Sequence, residues 1–165
     1  MTGAGETPRG PEEGTSAELA LFRVRPARVE DAAAVAGLAK ELGYDADAAS
    51  MAGRLERHAR RDDSAVFVAV DGGGRIAGWV HVFATDILEY GPRAEIGGLV
   101  VGAAWRARGA GRALVAAAER WAAGRGFGAM RVRSNVVRAE ARRFYERLGY
   151  RVTKTQNNFH KDLPG

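Results

Sequence analysis

The stretch from Ala94 to Gly124 constrains this chain most. An apolar run, AEIGGLVV, ends at Val101; Arg106-Ala107-Arg108-Gly109-Ala110-Gly111 follows, and Arg112 to Gly124 continues as an alanine-rich helical pattern. A strand that passes through a glycine-punctuated turn into a helix leaves the first N–H groups of that helix without intrahelical partners, at the positive end of its dipole. Gly109 and Gly111 have no Cβ to hold an anion away from those donors, and Arg106, Arg108 and Arg112 bring positive charge to the same corner. The pattern predicts a diphosphate site at the amides of Arg108, Gly109, Ala110, Gly111 and Arg112. Short glycine patterns also occur in ordinary strand-to-helix turns, so the loop alone leaves both readings open.

A second block narrows the choice. Ala141-Arg142-Arg143-Phe144-Tyr145-Glu146-Arg147-Leu148-Gly149-Tyr150 reads as a helix with Ala141, Phe144, Tyr145 and Leu148 on one face, closed by Gly149. The two blocks, in this order, resemble the GNAT family of N-acetyltransferases. That family's pyrophosphate loop has Arg or Gln, two residues, Gly, one residue, then Gly or Ala, here Arg106, Gly109 and Gly111; its late helix carries an alanine before Phe-Tyr and closes on Gly and an aromatic residue. The resemblance spans about Leu21 to Gly165 in layout and is specific in these two blocks. It implies acetyl transfer from acetyl-CoA to a primary amine by direct reaction in a ternary complex, and it says more about the cosubstrate than about the acceptor.

Composition is compatible with that reading and closes others. The 165 residues are 46% hydrophobic and 27% charged, enough for one core, and are read as a mobile tail (Met1–Glu18, rich in Gly, Pro, Glu, Ser and Thr) and a single acetyltransferase domain (19–165). Net charge is +5, but residues 106–151 hold 12 Arg against three Glu, a local +9. Such a surface suits a cofactor with a diphosphate and a 3′-phosphate; without interleaved aromatics or a helix-turn-helix or metal-finger spacing, nucleic acid is not the expected partner. The absence of cysteine excludes thiol catalysis, disulfides and thiolate metal sites, and His58, His81 and His160 form no metal-ligand spacing. No run is long enough to span a membrane and no secretory leader pattern is present, so a cytoplasmic enzyme is expected.

Along the chain, Leu21–Arg25 alternates as a strand and Val35, Leu38, Ala39 and Leu42 mark one face of a helix that Gly43 ends. Asp45–Ala59 is a second, more polar helix. Ser64–Val70 and Arg75–Phe83 are strands joined by Asp71-Gly72-Gly73-Gly74, read as a hairpin turn. Thr85–Arg93 is expected as a loop, Ala94–Val101 as a strand with a bulge at Gly97-Gly98, and Ala129–Arg133 as the fifth strand. Tyr150–Thr155 and Asn158–Lys161 are expected to close the chain as a hairpin. The resulting class is α/β: a GNAT-type sandwich with about four helices and a mixed, mostly antiparallel sheet of about six or seven strands, splayed between the fourth and fifth.

The resemblance also assigns roles. Pantetheine pairs with the bulged fourth strand in the family, here at Leu99, Val100 and Val101, whose amides would polarise the thioester carbonyl. Tyr145 corresponds to the family tyrosine that protonates the thiolate; the residue also reads as an aromatic on a buried stripe. Glu95 holds the register, relative to Arg106, of the general base in the histone-acetylating branch, or is an exposed strand-end carboxylate. Asn135 and Arg138 are alternative cofactor contacts, Asn135 reading equally well as a turn asparagine. His81 shares a strand face with Trp79 and Phe83, lining the acceptor pocket or packing as a core histidine. The acceptor, small molecule or protein, is not legible, and relatives are often dimers, which leaves a homodimer open. The alternative reading is a non-catalytic acyl-CoA sensor or a basic module that grips an acidic partner.

Overall fold

The alternating runs that short turns connect pair with each other as hairpins, since a tight turn returns the chain antiparallel beside itself. A computed structural model describes residues 21–135 and 137–164; the expected tail, Met1–Glu18, lies outside them. The chain divides into two compact units after Arg131.

In the first unit, β1 (Phe22–Pro26), β2 (Ser64–Asp71), β3 (Ile76–Ile87) and β4 (Gly91–Val101) pair antiparallel in sequence order. β5 (Met130–Val132) lies next to β4, giving the order β1-β2-β3-β4-β5. β4 reaches β5 through a helix, the crossover that a parallel neighbour needs, and the sheet is mixed. Ala94 donates its N–H to Ala129 O at 3.4 Å, which fixes where β5 meets β4. Three residues of β5 span about 10 Å, so β5 is too short to follow the eleven residues of β4.

Helices cover both faces. α1 (Ala32–Glu41) and α2 (Ala48–Ala59) bury Val35, Ala36, Ala39, Met51 and Leu55 against Val68 and Val70, with Trp79 packed on the same cluster. The neighbouring Gly78 points to the other face: the position its Cβ would occupy is 3.1 Å from Leu114 Cδ1 of α3 (Ala110–Gly124). Leu114 is fully buried, and its truncation to alanine is expected to cost about 3 kcal/mol. Before α1, buried Asp31 accepts the Arg28 N–H at 2.8 Å and pairs with both terminal nitrogens of Arg25 at 2.7 and 2.8 Å. Asp47 caps α2 through the Ser50 N–H.

Two expectations are corrected. Residues 85–87 and 91–93 are strand rather than loop: Thr85, Asp86 and Ile87 pair with Arg93, Pro92 and Gly91 around a tight turn. Asp86, Gly91 and Pro92 are residues that local propensity places in turns, yet the antiparallel ladder continues through them; Leu88 at the tip is wholly exposed. The second correction lies in the other unit. Residues 150–164 form no strand, so the described sheet has five strands instead of six or seven. Val152, Phe159 and Leu163 are exposed, and an alternating pattern without a face to bury or an edge to pair with does not specify a strand. The second unit otherwise contains α4 (Ala139–Arg147), closed by Gly149 at φ +88°. The expected four α-helices are all present among the described residues.

Candidate active site

The turn between β4 and α3 is shaped for an anion. A 3-10 turn (Ala103–Trp105) leaves the strand, Arg106 is extended, and Ala107 and Gly109 both take left-handed backbone angles, φ +56° and +91°. Left-handed residues within a right-handed path turn successive N–H groups toward one side. A non-glycine residue pays a conformational cost there, so the strain at Ala107 must be held by its surroundings. Several bonds hold it: Arg106 Nε donates to Val101 O, Ala103 N–H to Glu41 Oε2 at 2.9 Å, and Trp105 Nε1 to Asp71 Oδ2 at 3.0 Å. The Arg75 amide also donates to Asp71 and, with the Trp105 bond and smaller contributions from the Arg75 side chain and the Gly73 amide, holds its carboxyl down at about 2.

α3 begins two residues earlier than expected, at Ala110, with Gly109 as its cap. The first intrahelical bond from the loop is Ala113 N–H to Gly109 O at 3.0 Å, so the amides of Ala110, Gly111 and Arg112 form the open first turn. Arg106, Arg108 and Arg112 are all exposed beside them. A diphosphate matches this donor set: backbone N–H groups at a helix start, no side chain on Gly109 or Gly111, and three guanidinium groups.

The bulge in β4 occurs at the expected glycines. His81 pairs with Gly98 and Val82 with Ile96, which leaves Gly97 as the extra residue. Leu99, Val100 and Val101 pair with Val80, Trp79 and Gly78 on the β3 side. A Cβ on Gly97 would stand 2.6 Å from Phe83 Cε1 and 3.1 Å from His81 Nδ1, and one on Gly98 would touch the Trp79 ring. Glycine is required at Gly97 because those two rings occupy the space over it. Phe83 pairs with Glu95, so Trp79, His81, Phe83 and Glu95 share the sheet face that α1 and α2 cover in part.

Glu95 is buried, which removes the exposed strand-end alternative. Its Oε2 accepts from Arg131 Nε at 2.9 Å and from a terminal nitrogen at 2.6 Å. A buried carboxylate needs such a partner. Arg131 did not stand out in the sequence; only its position on β5 beside β4 brings it to Glu95.

His81 is not an isolated packed ring. Its Nε2 is 3.0 Å from Ser64 Oγ, and the same oxygen is 2.8 Å from His58 Nδ1 near the end of α2. Ser64 is buried, the two imidazoles meet edge to face at 4.4 Å, and His81 stacks on Phe83 at 5.2 Å. Burial, followed by the nearby His58 and Arg61 charges, pushes His81 down to about 4, and burial lowers His58 as well. Ser64 and His58 carried no signal as site residues, because a serine at a strand start and a histidine on a polar helix are individually unremarkable.

In the second unit, Tyr145 is half-buried on α4 and meets Phe144 and Tyr150 edge to face at 5.1 and 5.5 Å. Burial pushes its phenol up to about 12, so the hydroxyl keeps its proton at any ordinary pH. Asn135 Oδ1 accepts the Val137 N–H at 3.2 Å, the bond of a turn asparagine, and Arg138 is the exposed residue that caps α4. Among the described residues no group of three or more His, Cys, Asp or Glu side chains can hold a metal, and no helix is long and apolar enough to cross a membrane.

Known proteins share this fold. The sequence model of the acetyltransferase (GNAT) family matches residues 32–150. A crystal structure of a transcriptional regulator from Bacillus halodurans is 25% identical, with 85% of this chain and 99% of that one covered and a TM-score of 0.73. Aminoglycoside acetyltransferase AAC(6')-Iy, in complex with a CoA bisubstrate analogue, superposes at a TM-score of 0.76 with 20% identity over 86% of this chain and 99% of that chain. Glucosamine-6-phosphate N-acetyltransferase from Arabidopsis thaliana gives 0.74, again with 20% identity over 86% and 99%. The last two likenesses establish a shared fold. No curated protein matches the chain in sequence.

Proposed function

The chain belongs to the acetyltransferase (GNAT) family, and on that premise we propose that residues 19–165 act as one domain that joins acetyl-CoA and a primary amine in a ternary complex. The family match runs across both units, which supports a single functional domain. The protein is an acetyl-CoA-dependent N-acetyltransferase. The observation that carries the site assignment is the left-handed Ala107 and Gly109 turn before the open amides of α3.

Acetyl-CoA supplies the activated acyl group. The amides of Arg108 to Arg112 hold its diphosphate, with Arg106 beside them, and the strand edge at Leu99, Val100 and Val101 orients the pantetheine arm. Asn135 and Arg138 are further cofactor contacts in this reading. Glu95 draws the ammonium form of the acceptor and helps to remove its first proton through water. Tyr145, protonated at working pH, supplies a proton to the departing thiolate. The acceptor amine belongs to an amino sugar in this proposal, a choice supported by two structural neighbours named for amino-sugar substrates.

The test is an acetyl-CoA titration by calorimetry followed by turnover on a panel of glucosamine 6-phosphate, sisomicin, spermidine and a lysine-containing peptide. Turnover on the amino sugars is expected. Binding without turnover on any member of the panel overturns the transferase reading of this site, and turnover on the peptide alone overturns the amino-sugar assignment.

A further inference from the structure

Forming an amide from an ammonium group removes two protons from the nitrogen. One reaches the thiolate and one leaves for solvent, so the acceptor side must provide for both removals. Glu95 accounts for the first. Among the described residues, the same sheet face carries a second polar cluster, in which half-buried His81 and His58 both contact the buried Ser64 hydroxyl.

We infer that His81 Nδ1 takes the second proton from the acceptor nitrogen, with Ser64 and His58 as positioning residues that fix its tautomer; this rests on the acetyl-transfer reading of the site. The geometry follows from the donors available. Ser64 has a single O–H and two lone pairs, so at most one of the two ring nitrogens that touch Oγ accepts from it and at least one donates to it. When His81 Nε2–H donates to Oγ and the Ser64 O–H donates to His58 Nδ1, the lone pair of His81 is left on Nδ1. That nitrogen has no hydrogen-bond partner among the described residues, and it faces the space over Gly97, 3.1 Å from where a Cβ would stand. A base needs an unprotonated nitrogen, and in this tautomer it is the one beside Gly97, an exposed residue of the bulged strand.

The step balances. As the carbonyl carbon bonds to nitrogen, the N–H electron pair stays on nitrogen and its proton moves to His81 Nδ1, giving an imidazolium whose Nε2–H strengthens its bond to Ser64. The C–S pair leaves with sulfur, which Tyr145 protonates; the His81 proton then returns to solvent, and the tyrosinate regains its own from solvent.

The charged and titratable groups around His81 are His58, Arg57, Arg61 and Asp63 at the end of α2 and the start of β2, and Glu95 with Arg131 across β4 and β5. Burial, His58 and Arg61 keep the ring neutral down to about 4, so it enters each cycle unprotonated and holds the proton only transiently.

The experiment measures kcat between pH 6 and 10 with acetyl-CoA and whichever panel amine the parent accepts. His81→Gln should lose about a hundredfold at every pH, because the second proton must leave however the amine starts. Ser64→Ala should lose roughly five- to tenfold, the worth of one hydrogen bond, with unchanged KM for acetyl-CoA, and Ser64→Thr should restore the rate. Ser64→Ala in the His81→Gln background should cost nothing more. In folded protein, nitrogen NMR of labelled histidines should show His81 protonated on Nε2 in the parent and as a tautomer mixture in Ser64→Ala. An active parent whose Ser64→Ala variant keeps both the full rate and a single His81 tautomer overturns this inference alone; a parent that acetylates none of the amines overturns the acetyl-transfer reading first, and this one with it.

Discussion

Arg131 places two donors on one oxygen of Glu95, at 2.9 and 2.6 Å, and so ties the start of β4 to β5 through a carboxylate that solvent scarcely reaches. The pair has structural and chemical consequences that separate cleanly. Arg131→Met removes a paired guanidinium from a buried carboxylate and should destabilise the protein by about 3 kcal/mol, read as a lower urea midpoint.

Glu95→Gln keeps the shape and removes the charge. Turnover should fall most at acidic pH, where the amine carries its extra proton, and should recover toward the parent at high pH. A pH–rate profile that overlays the parent's removes Glu95 from proton transfer.

Gly109→Glu sets a side chain at φ +91° and an anion beside the open amides of α3, and Gly111→Glu adds the same charge one turn position on. Both should abolish acetyl-CoA binding in calorimetry while circular dichroism stays that of a folded protein. Unchanged affinity in both variants moves the diphosphate elsewhere.

Tyr145→Phe deletes one hydroxyl and keeps the ring. The rate should drop about a hundredfold with little change in acetyl-CoA affinity. Because burial holds the phenol at about 12, the parent should show no loss from its ionisation below about pH 11. Full activity in the phenylalanine variant assigns the thiolate's proton to another donor or to water.

Asp71 ties the β2–β3 turn to Trp105, just ahead of the anion loop. Its folded value is about 2, below the ordinary 3.8, so its contribution is complete above pH 4 and is lost as pH falls through 2. Asp71→Asn should therefore flatten the fall in stability between pH 4 and 2, measured by urea denaturation at each pH, and should weaken acetyl-CoA binding at neutral pH by loosening the loop. An unchanged slope removes Asp71 from the acid response.

Much of this was legible along the chain, because it rests on short-range rules. Backbone hydrogen bonding and side-chain periodicity act over a few residues, so the helix faces, the β2–β3 turn, the bulge at Gly97 and the strand–glycine loop–helix unit could be read from local pattern. The same rules misread residues 85–93, where cross-strand pairing carries turn-favouring Asp86, Gly91 and Pro92 into the ladder, and residues 150–164, where alternation exists without a described strand to pair with. Tertiary structure alone decided the partnerships that give the site its chemistry. Ser64 meets His81 across 17 positions, Asp71 meets Trp105 across 34, and Glu95 meets Arg131 across 36. Whether a carboxylate is exposed or clamped, and which nitrogen of an imidazole is free, depends on which strands become neighbours. That choice is made by burial of the whole sheet between its helices, not by any residue's own neighbours in sequence.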